Sequence, residues 1–274
     1  MGCALEVNHH ETISVVIPTH DSEATIERCL QSVADQTHQP DEVIIVDNGS
    51  QDHTLVKVHN FVTLNKELNI IIATLTQNTG PGNARNIGWD LARSSMVAFL
   101  DSDDSWHPKK LEIQLGIVRS HPTYSFFGHS IVVVNDGHST ATLDPLSSTQ
   151  VKFYGLWHFL VKNRVSTPTV MLRRSLKPRF PVHQWHAEDF ALWTRLVSNG
   201  YKLVFAQVPL THLHKATFGS SGLSAALKQM HLGELRVVES LRKEGSLSGS
   251  SRNLVKLWMQ FKYGIRRIRV RLRG

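Results

Sequence analysis

The run Val97-Ala98-Phe99-Leu100-Asp101-Ser102-Asp103-Asp104-Ser105-Trp106 joins a short apolar segment to three carboxylates within four positions. A continuous apolar run of this length suits an inner strand of a parallel sheet, and open α/β sheets bind ligands beyond the carboxyl ends of their strands. Carboxylates gathered there repel one another unless a cation or a set of donors offsets them. The turn is therefore a candidate for a divalent metal holding a phosphorylated ligand. The rival reading is a cap, in which Asp101 or Ser102 closes the start of a helix that Pro108 begins.

Upstream, the same pattern occurs three times. Ser14 to Ile17 is a β-branched run ended by Pro18-Thr19, and Asp21 or Ser22 can cap a helix carrying Ile26, Cys29, Leu30 and Val33 on one face. Glu42 to Val46 ends in Asp47-Asn48-Gly49-Ser50, with a helix from Thr54 to Leu64. Ile70 to Ala73 is followed by Gly80-Pro81-Gly82-Asn83-Ala84-Arg85-Asn86, which opens a helix through Ile87 and Leu91. Four apolar runs alternating with helices predict a doubly wound, mostly parallel sheet whose polar loops share one edge.

Past Trp106 the alternation weakens. We expect a helix from Lys109 to Ser120, strands at Tyr124 to Gly128 and Ile131 to Val134, and a boundary between two lobes in the Gly/Ser/Thr-rich stretch Asp136 to Gln150. Val151 to Lys162 reads as a helix, Thr169 to Leu172 as a strand, and Glu188-Asp189 as the start of a helix stopped by Asn199-Gly200. Lys202 to Phe205 reads as a returning strand, His212 to Gly222 as an irregular loop, Leu223 to Lys243 as a helix and Gly245 to Ser251 as a linker.

The chain has 274 residues, 41% of them hydrophobic and 19% charged, enough for a sizeable core. Its two cysteines, Cys3 and Cys29, cannot form a disulfide framework and fit a reducing compartment. The start lacks a basic and apolar leader, and no apolar run approaches the roughly 18 residues of a membrane span. The net charge of +7 is a property of the tail, since Ser251 to Gly274 holds eight Lys/Arg and no acid. Taking those eight from 30 leaves 22 basic residues against 23 acidic ones.

Five segments occur in order: Val15-Val16-Ile17-Pro18-Thr19-His20, Ile44-Ile45-Val46-Asp47-Asn48-Gly49-Ser50 with Asp52, Asn78 to Asn86, Phe99 to Trp106, and Glu188-Asp189. Together they resemble the family 2 glycosyltransferases, of the GT-A fold, over about residues 12 to 215. The resemblance implies an α/β architecture: a mostly parallel, Rossmann-like sheet flanked by helices, with an acceptor-side lobe and a C-terminal amphipathic helix. Residues 12–135 would be the nucleotide-sugar-binding half and 136–215 the acceptor and catalytic-base half. Residues 216–250 would follow as a helix and linker, and 251–274 as a basic amphipathic tail.

The same resemblance implies roles. Pro18, Thr19, Asp47, Asn83, Arg85, Asp101 and Ser102 would bind the donor. Asp47 would accept from the base, and Arg85 would contact a phosphate or pair with an acid. Asp101 and Asp103 match the family's Asp-X-Asp motif, with Asp103 the main ligand to Mn2+ or Mg2+, Asp101 beside it, and one of His212 and His214, taken as His214, a late ligand; the rival is that both are surface or core histidines. Asp104 would be a supporting or capping residue. Asp189 would be the base of an inverting transfer and Glu188 its partner or substitute; the rival is that both merely favour a helix N-terminus. Trp106 and Trp185 are possible sugar platforms.

In the tail, Leu254, Leu257, Trp258, Phe261, Ile265, Ile268 and Leu272 recur at three- and four-residue steps among Lys and Arg. This cationic amphipathic helix predicts contact with an anionic membrane surface through residues 252–273, against docking on the body or a nucleic-acid arm. The expected partners are a nucleotide-diphosphate sugar, UDP-linked, and a lipid-linked saccharide acceptor of surface polysaccharide synthesis. No nucleic acid is expected. The expected location is the cytoplasmic face of the cytoplasmic membrane, held peripherally. Without a Gln-X-X-Arg-Trp motif, single-residue rather than processive transfer is expected. The rival classes are a nucleotidyltransferase and a non-catalytic nucleotide or nucleic-acid-binding module.

Overall fold

β-branched residues fill the first two strands, β1 (Ile13–Thr19) and β2 (Glu42–Asp47), every residue of which is buried. Alternate residues of these strands feed two different cores. Val16, Ile44 and Val46 pack on one face of the sheet, while Val15, Ile17, Val43 and Ile45 pack on the other. A strand covered on both faces loses the polar alternation of an exposed one, which is why these runs are continuously apolar. The computed structural model describes residues 11–134, 150–214 and 226–271.

The remaining strands are β3 (Ile70–Thr74), β4 (Met96–Phe99), β5 (Ser105–Trp106), β6 (Phe126–Val133), β7 (Val151–Tyr154), β8 (Met171–Arg173) and β9 (Leu203–Leu213). The helices are α1 (Ile26–Ala34), α2 (Thr54–Leu64), α3 (Pro81–Leu91), α4 (Lys110–Ser120), α5 (Leu156–Val161), α6 (Glu188–Ser198), α7 (Leu227–Lys243) and α8 (Gly249–Arg271). They build one sheet in the order β3-β2-β1-β4-β8-β6-β9-β5, with β7 also paired to β9. The first four strands are parallel to one another, with Thr19 opposite Asp47 and Val16 opposite Phe99. Beyond β4 the sheet is mixed: β8 runs antiparallel to β4 and β6, β5 and β7 run antiparallel to β9, and β6 and β9 are parallel.

Helices α1, α2 and α4 cover one face, and α3, α5, α6, α7 and α8 the other. Helix α3 lies close against β1 because Gly88 faces it; any Cβ there would collide with Val16.

Several expectations need correction. Helix α1 starts at Ile26 without a side-chain cap, so neither Asp21 nor Ser22 caps it through its side chain. Val151 to Tyr154 is strand, not helix, because it pairs with Leu203 to Ala206, and the helix is confined to Leu156–Val161. The two short strands at 124–134 are one, β6, with register shifts around Ser130. Strand β9 runs on to Leu213, so His212 belongs to the sheet. Gly249 to Ser251 is already helical, which shortens the linker. The expected lobe boundary at 136–150 lies, apart from Gln150, outside the described residues, as do Cys3 and most of the loop after His214.

Candidate active site

The acidic turn does not cap a helix. Asp104 N donates to Asp101 O at 3.0 Å, and the chain then enters β5, whose Ser105 and Trp106 pair with His212 and Thr211. Helix α4 begins only at Lys110, without a side-chain cap. The turn is instead held by its backbone from α1: Arg28 Nη2 donates to Asp103 O at 2.7 Å, and the buried Cys29 Sγ to Asp101 O at 3.6 Å. Ser22 Oγ and Ser102 Oγ lie 2.8 Å apart, tying the loop after β1 to the same turn. Neither Arg28 nor Ser22 stands out as a site residue in the sequence, since a guanidinium donating to a backbone carbonyl and one hydroxyl meeting another carry no motif.

Arg85 links this turn to the other acidic pair. From the first turns of α3 its Nη2 reaches Asp101 Oδ1 at 2.7 Å, and its Nη1 reaches Glu188 Oε1 at 3.0 Å. The guanidinium is buried, and the two carboxylates hold its charge so firmly that its pKa is raised despite burial. Of its two expected roles, the pairing with acids is the one seen here. Gly80 opens α3 with φ +92°, a conformation that side chains rarely adopt, and the ring of Trp185 lies against it. Trp185 stays exposed at this rim. Trp106 does not: it is 3% exposed, its Nε1 donates to Pro168 O at 2.7 Å, and Lys110 Nζ sits 3.6 Å from its ring centre. Trp106 is thus a core residue, not a sugar platform.

The loop after β2 is organised by Asn48. Its Oδ1 accepts from Thr79 N at 2.9 Å and Thr79 Oγ1 at 3.0 Å, and its Nδ2 donates to Asn78 Oδ1 at 2.9 Å. Asn83 joins this network by donating to Thr79 Oγ1 at 2.8 Å. Pro18 is buried in β1 beside Thr19. Thr19 Oγ1 and Asp47 Oδ1, on paired residues of neighbouring strands, are buried with no hydrogen-bond partner among the described residues. Two such oxygens at one sheet edge are costly unless a ligand supplies the donor.

Burial raises both acids at the start of α6, in Glu188 against the opposing charge of Arg85. Glu188 is committed to Arg85. Asp189 is pushed up to about 7, chiefly by burial and then by the neighbouring Glu188 charge. Opposing this are the Phe190 N–H, 2.6 Å from Oδ1, the Arg85 charge, and Asn163 Nδ2, 3.1 Å from Oδ2. A carboxyl that titrates near neutrality is what a proton acceptor requires.

Among the described residues no three His, Cys, Asp or Glu side chains converge into a ready metal cage. The oxygen-rich turn still fits a hard divalent ion that completes its shell from phosphate oxygens and water. His214 lies on the same side: its Nε2 is 2.8 Å from Ser105 Oγ, and it senses the Asp103 charge. Burial lowers its pKa, keeping the imidazole in the neutral form that can ligate.

Residues 14–178 match glycosyl transferase family 2, and the chain belongs to that family. It is 29% identical over 188 residues to the UDP-Glc:alpha-D-GlcNAc-diphosphoundecaprenol beta-1,3-glucosyltransferase WfgD of Escherichia coli, covering 68% of this chain and 70% of that one. Its fold matches S. aureus TarS in complex with UDP-GlcNAc with a TM-score of 0.69 at 21% identity, covering 89% of this chain and 70% of the other. It also matches the mannosyltransferase PcManGT of Pyrobaculum calidifontis, in complex with GDP-Man and Mn2+, with a TM-score of 0.64 at 18% identity, covering 93% and 70%. The fold is that of the GT-A enzymes.

Proposed function

We propose that this protein is an inverting, non-processive glycosyltransferase that moves one sugar from a UDP-linked donor to a lipid-linked saccharide in surface polysaccharide synthesis. One observation carries the reading: Arg85 bridges the acidic turn after β4 to the acidic start of α6, so a donor edge and a near-neutral carboxyl, Asp189, share one site. The UDP-Glc donor of the E. coli relative and the UDP-GlcNAc of the TarS complex support a UDP-linked donor, and the diphosphoundecaprenol-linked acceptor of that relative supports a lipid-linked one.

A uracil imide N–H at the β1/β2 edge would satisfy the orphaned Asp47 Oδ1, and a ribose hydroxyl the Thr19 oxygen. Pro18, Asn83 and Ser102 line or brace this edge. Asp189 takes the proton of the acceptor hydroxyl as its oxygen bonds to the anomeric carbon and the bond to the nucleoside diphosphate breaks, a single displacement that inverts configuration. Glu188, paired with Arg85, acts as the partner of Asp189 and raises its proton affinity. Asp103, with Asp101 and His214, would hold Mn2+ or Mg2+ against the diphosphate. Such an ion supplies Lewis-acid neutralisation of the leaving group, and the Mn2+ complex of the mannosyltransferase supports that choice.

The C-terminal helix supports a peripheral placement on a membrane, which the proposal sets on the cytoplasmic face. It docks on the body through Val255 and Met259, while Leu254, Leu257, Trp258, Phe261 and Ile268 form an exposed apolar stripe. No described helix is long and apolar enough to cross a membrane. Several of its cations face the body: Arg252 and Lys256 pair with Glu239, and Arg266 with Glu234. Lipid contact would therefore rest more on the apolar stripe than on eight free charges.

The test is transfer from a panel of nucleotide sugars to a prenyl-diphosphate-linked saccharide with Mn2+. Turnover that vanishes in Asp189→Asn, with donor binding retained, is expected. Full turnover in that variant overturns the base assignment. Consumption of a sugar-1-phosphate and nucleoside triphosphate instead would make it a nucleotidyltransferase.

A further inference from the structure

Asn163 belongs to no motif, yet it reaches Asp189. It lies in the segment between α5 and the short 3-10 turn Thr167–Thr169, and its Nδ2 donates to Asp189 Oδ2 at 3.1 Å. The Phe190 N–H holds the other carboxylate oxygen at 2.6 Å, so the group is fixed from both sides. The amide's own Oδ1 is buried without a hydrogen-bond partner among the described residues. A side chain selected for stability alone would not keep a buried carbonyl unpaired, since that oxygen forfeits its hydration for nothing. The arrangement makes sense if the donor end is what matters.

The segment is held for that purpose on both sides. Two residues earlier, Val161 O accepts Trp258 Nε1 at 2.9 Å and Lys262 Nζ at 3.1 Å, both from α8. One residue later, Arg164 Nε donates to His158 O at 3.2 Å and its guanidinium lies 4.8 Å from the Tyr154 ring centre. Val165 is buried in the core. An asparagine between anchored neighbours has little freedom to leave the carboxylate.

Accepting that Asp189 is the base, we infer that Asn163 is a positioning residue for it: the amide fixes the carboxylate plane and favours its anionic form, and α8 secures the amide through Val161. The charged groups facing Asp189 are Glu188, which opposes ionisation, and Arg85, which favours it. Asn163 adds a neutral donor that acts with Arg85.

The experiment titrates Asp189 directly in the full chain, by NMR of protein labelled with 13C at the aspartate carboxyl, with the signal assigned from Asp189→Asn. Asn163→Leu should move the Asp189 midpoint to higher pH by about half a pH unit. Asn163→Asp, which sets a second carboxylate beside it, should move it further. Asn163→Ser gives the same direction as Asn163→Leu if the leucine variant does not fold. In the transfer assay the acidic limb of kcat should move with the midpoint, so that the loss of rate seen at pH 6 is recovered at pH 9. A purely structural role would instead lower kcat alike at every pH. An unchanged Asp189 midpoint in Asn163→Leu and Asn163→Asp overturns the inference. Retained turnover in Asp189→Asn overturns the base reading alone, because the titration still reports the contact.

Discussion

Arg85 and Glu188 are 103 positions apart, yet Nη1 of the arginine lies 3.0 Å from Oε1 of the glutamate, in a part of the site that is almost closed to solvent. The same guanidinium holds Asp101. Removing it strands two acids at once, and breaking a buried pair from one side typically costs about 3 to 5 kcal/mol. Arg85→Met should lose that much in denaturant unfolding and lose transfer as well. A stability loss below about 1 kcal/mol would show that the pair is replaced by solvent or rearrangement.

Asp189 should make stability and activity run in opposite directions with pH. Its native pKa of about 7 lies above the value near 3.9 of an unfolded aspartate, so between those limits the native state binds more protons. Native stability therefore falls as pH rises through that window, while a base that must be ionised gains activity. Asp189→Asn should match the wild type near pH 4 and exceed it at pH 8 by up to about 4 kcal/mol, read from urea midpoints across pH. Glu188→Gln removes the charge that raises Asp189, so the acidic limb of the rate profile should move to lower pH. An upward move would contradict the coupling.

The parallel half of the sheet was legible because burial on both faces leaves continuous apolar runs such as Ile44-Ile45-Val46, each ending in a polar loop. Much of the second half was not. β7 is a short strand beside β9 with no clean alternation, and the aromatic residues of α5 extend a helical pattern back across it. In the tail, Leu254, Leu257, Phe261 and Ile268 of the periodic apolar set lie outward on α8, Trp258 is part-exposed and bonded to Val161 O, and Leu272 lies outside the described residues, while the inward positions, Val255 and Met259, are too sparse to register. Asn163 and Arg28 act through tertiary contact alone, which no spacing along the chain encodes.

Lys110 should be a stability defect. It is fully buried, its ammonium lies 3.6 Å from the Trp106 ring centre, and Nζ has no hydrogen-bond partner among the described residues. Burial drives its pKa well down. The cost of holding it is present at all pH below the unfolded value near 10.4 and shrinks as that pH is approached. Lys110→Met keeps the length, keeps a contact with the indole, and should stabilise the protein at pH 7 by about 1 to 2 kcal/mol in thermal or urea unfolding. Destabilisation would mean that the cation and ring contribute more than the burial costs.

Donor and ion should bind together. UDP at 100 times its dissociation constant stabilises a fold by about 2.7 kcal/mol, and with Mn2+ present this should appear as a thermal shift that chelation largely removes. Asp103→Asn should lose the Mn2+ increment and keep a residual metal-free shift. Asp47→Leu should reduce both. An Asp103→Asn shift equal to wild type would remove it as a ligand.

The two faces of α8 should separate cleanly. Leu257→Glu and Phe261→Glu alter only exposed positions, so melting should stay within about 0.5 kcal/mol while co-sedimentation with anionic vesicles falls. Met259→Ala should do the reverse, costing about 2 to 4 kcal/mol. Vesicle binding unaffected by both glutamate variants would exclude this face as the anchor.

The short pairing of Ser105 and Trp106 with Thr211 and His212 has a consequence for how the enzyme is made. The acidic turn leaves the sheet at β4 early in synthesis, but its far end is pinned by a strand that emerges more than a hundred residues later. Until then the turn and β5 are held from the α1 side alone, through Arg28, Cys29 and Ser32, and Glu188 has not arrived to share Arg85. A fragment ending at Val134 should therefore bind UDP more weakly than the whole chain even where its parallel strands form. On that outcome the parallel half of the sheet and the mixed half would mature together.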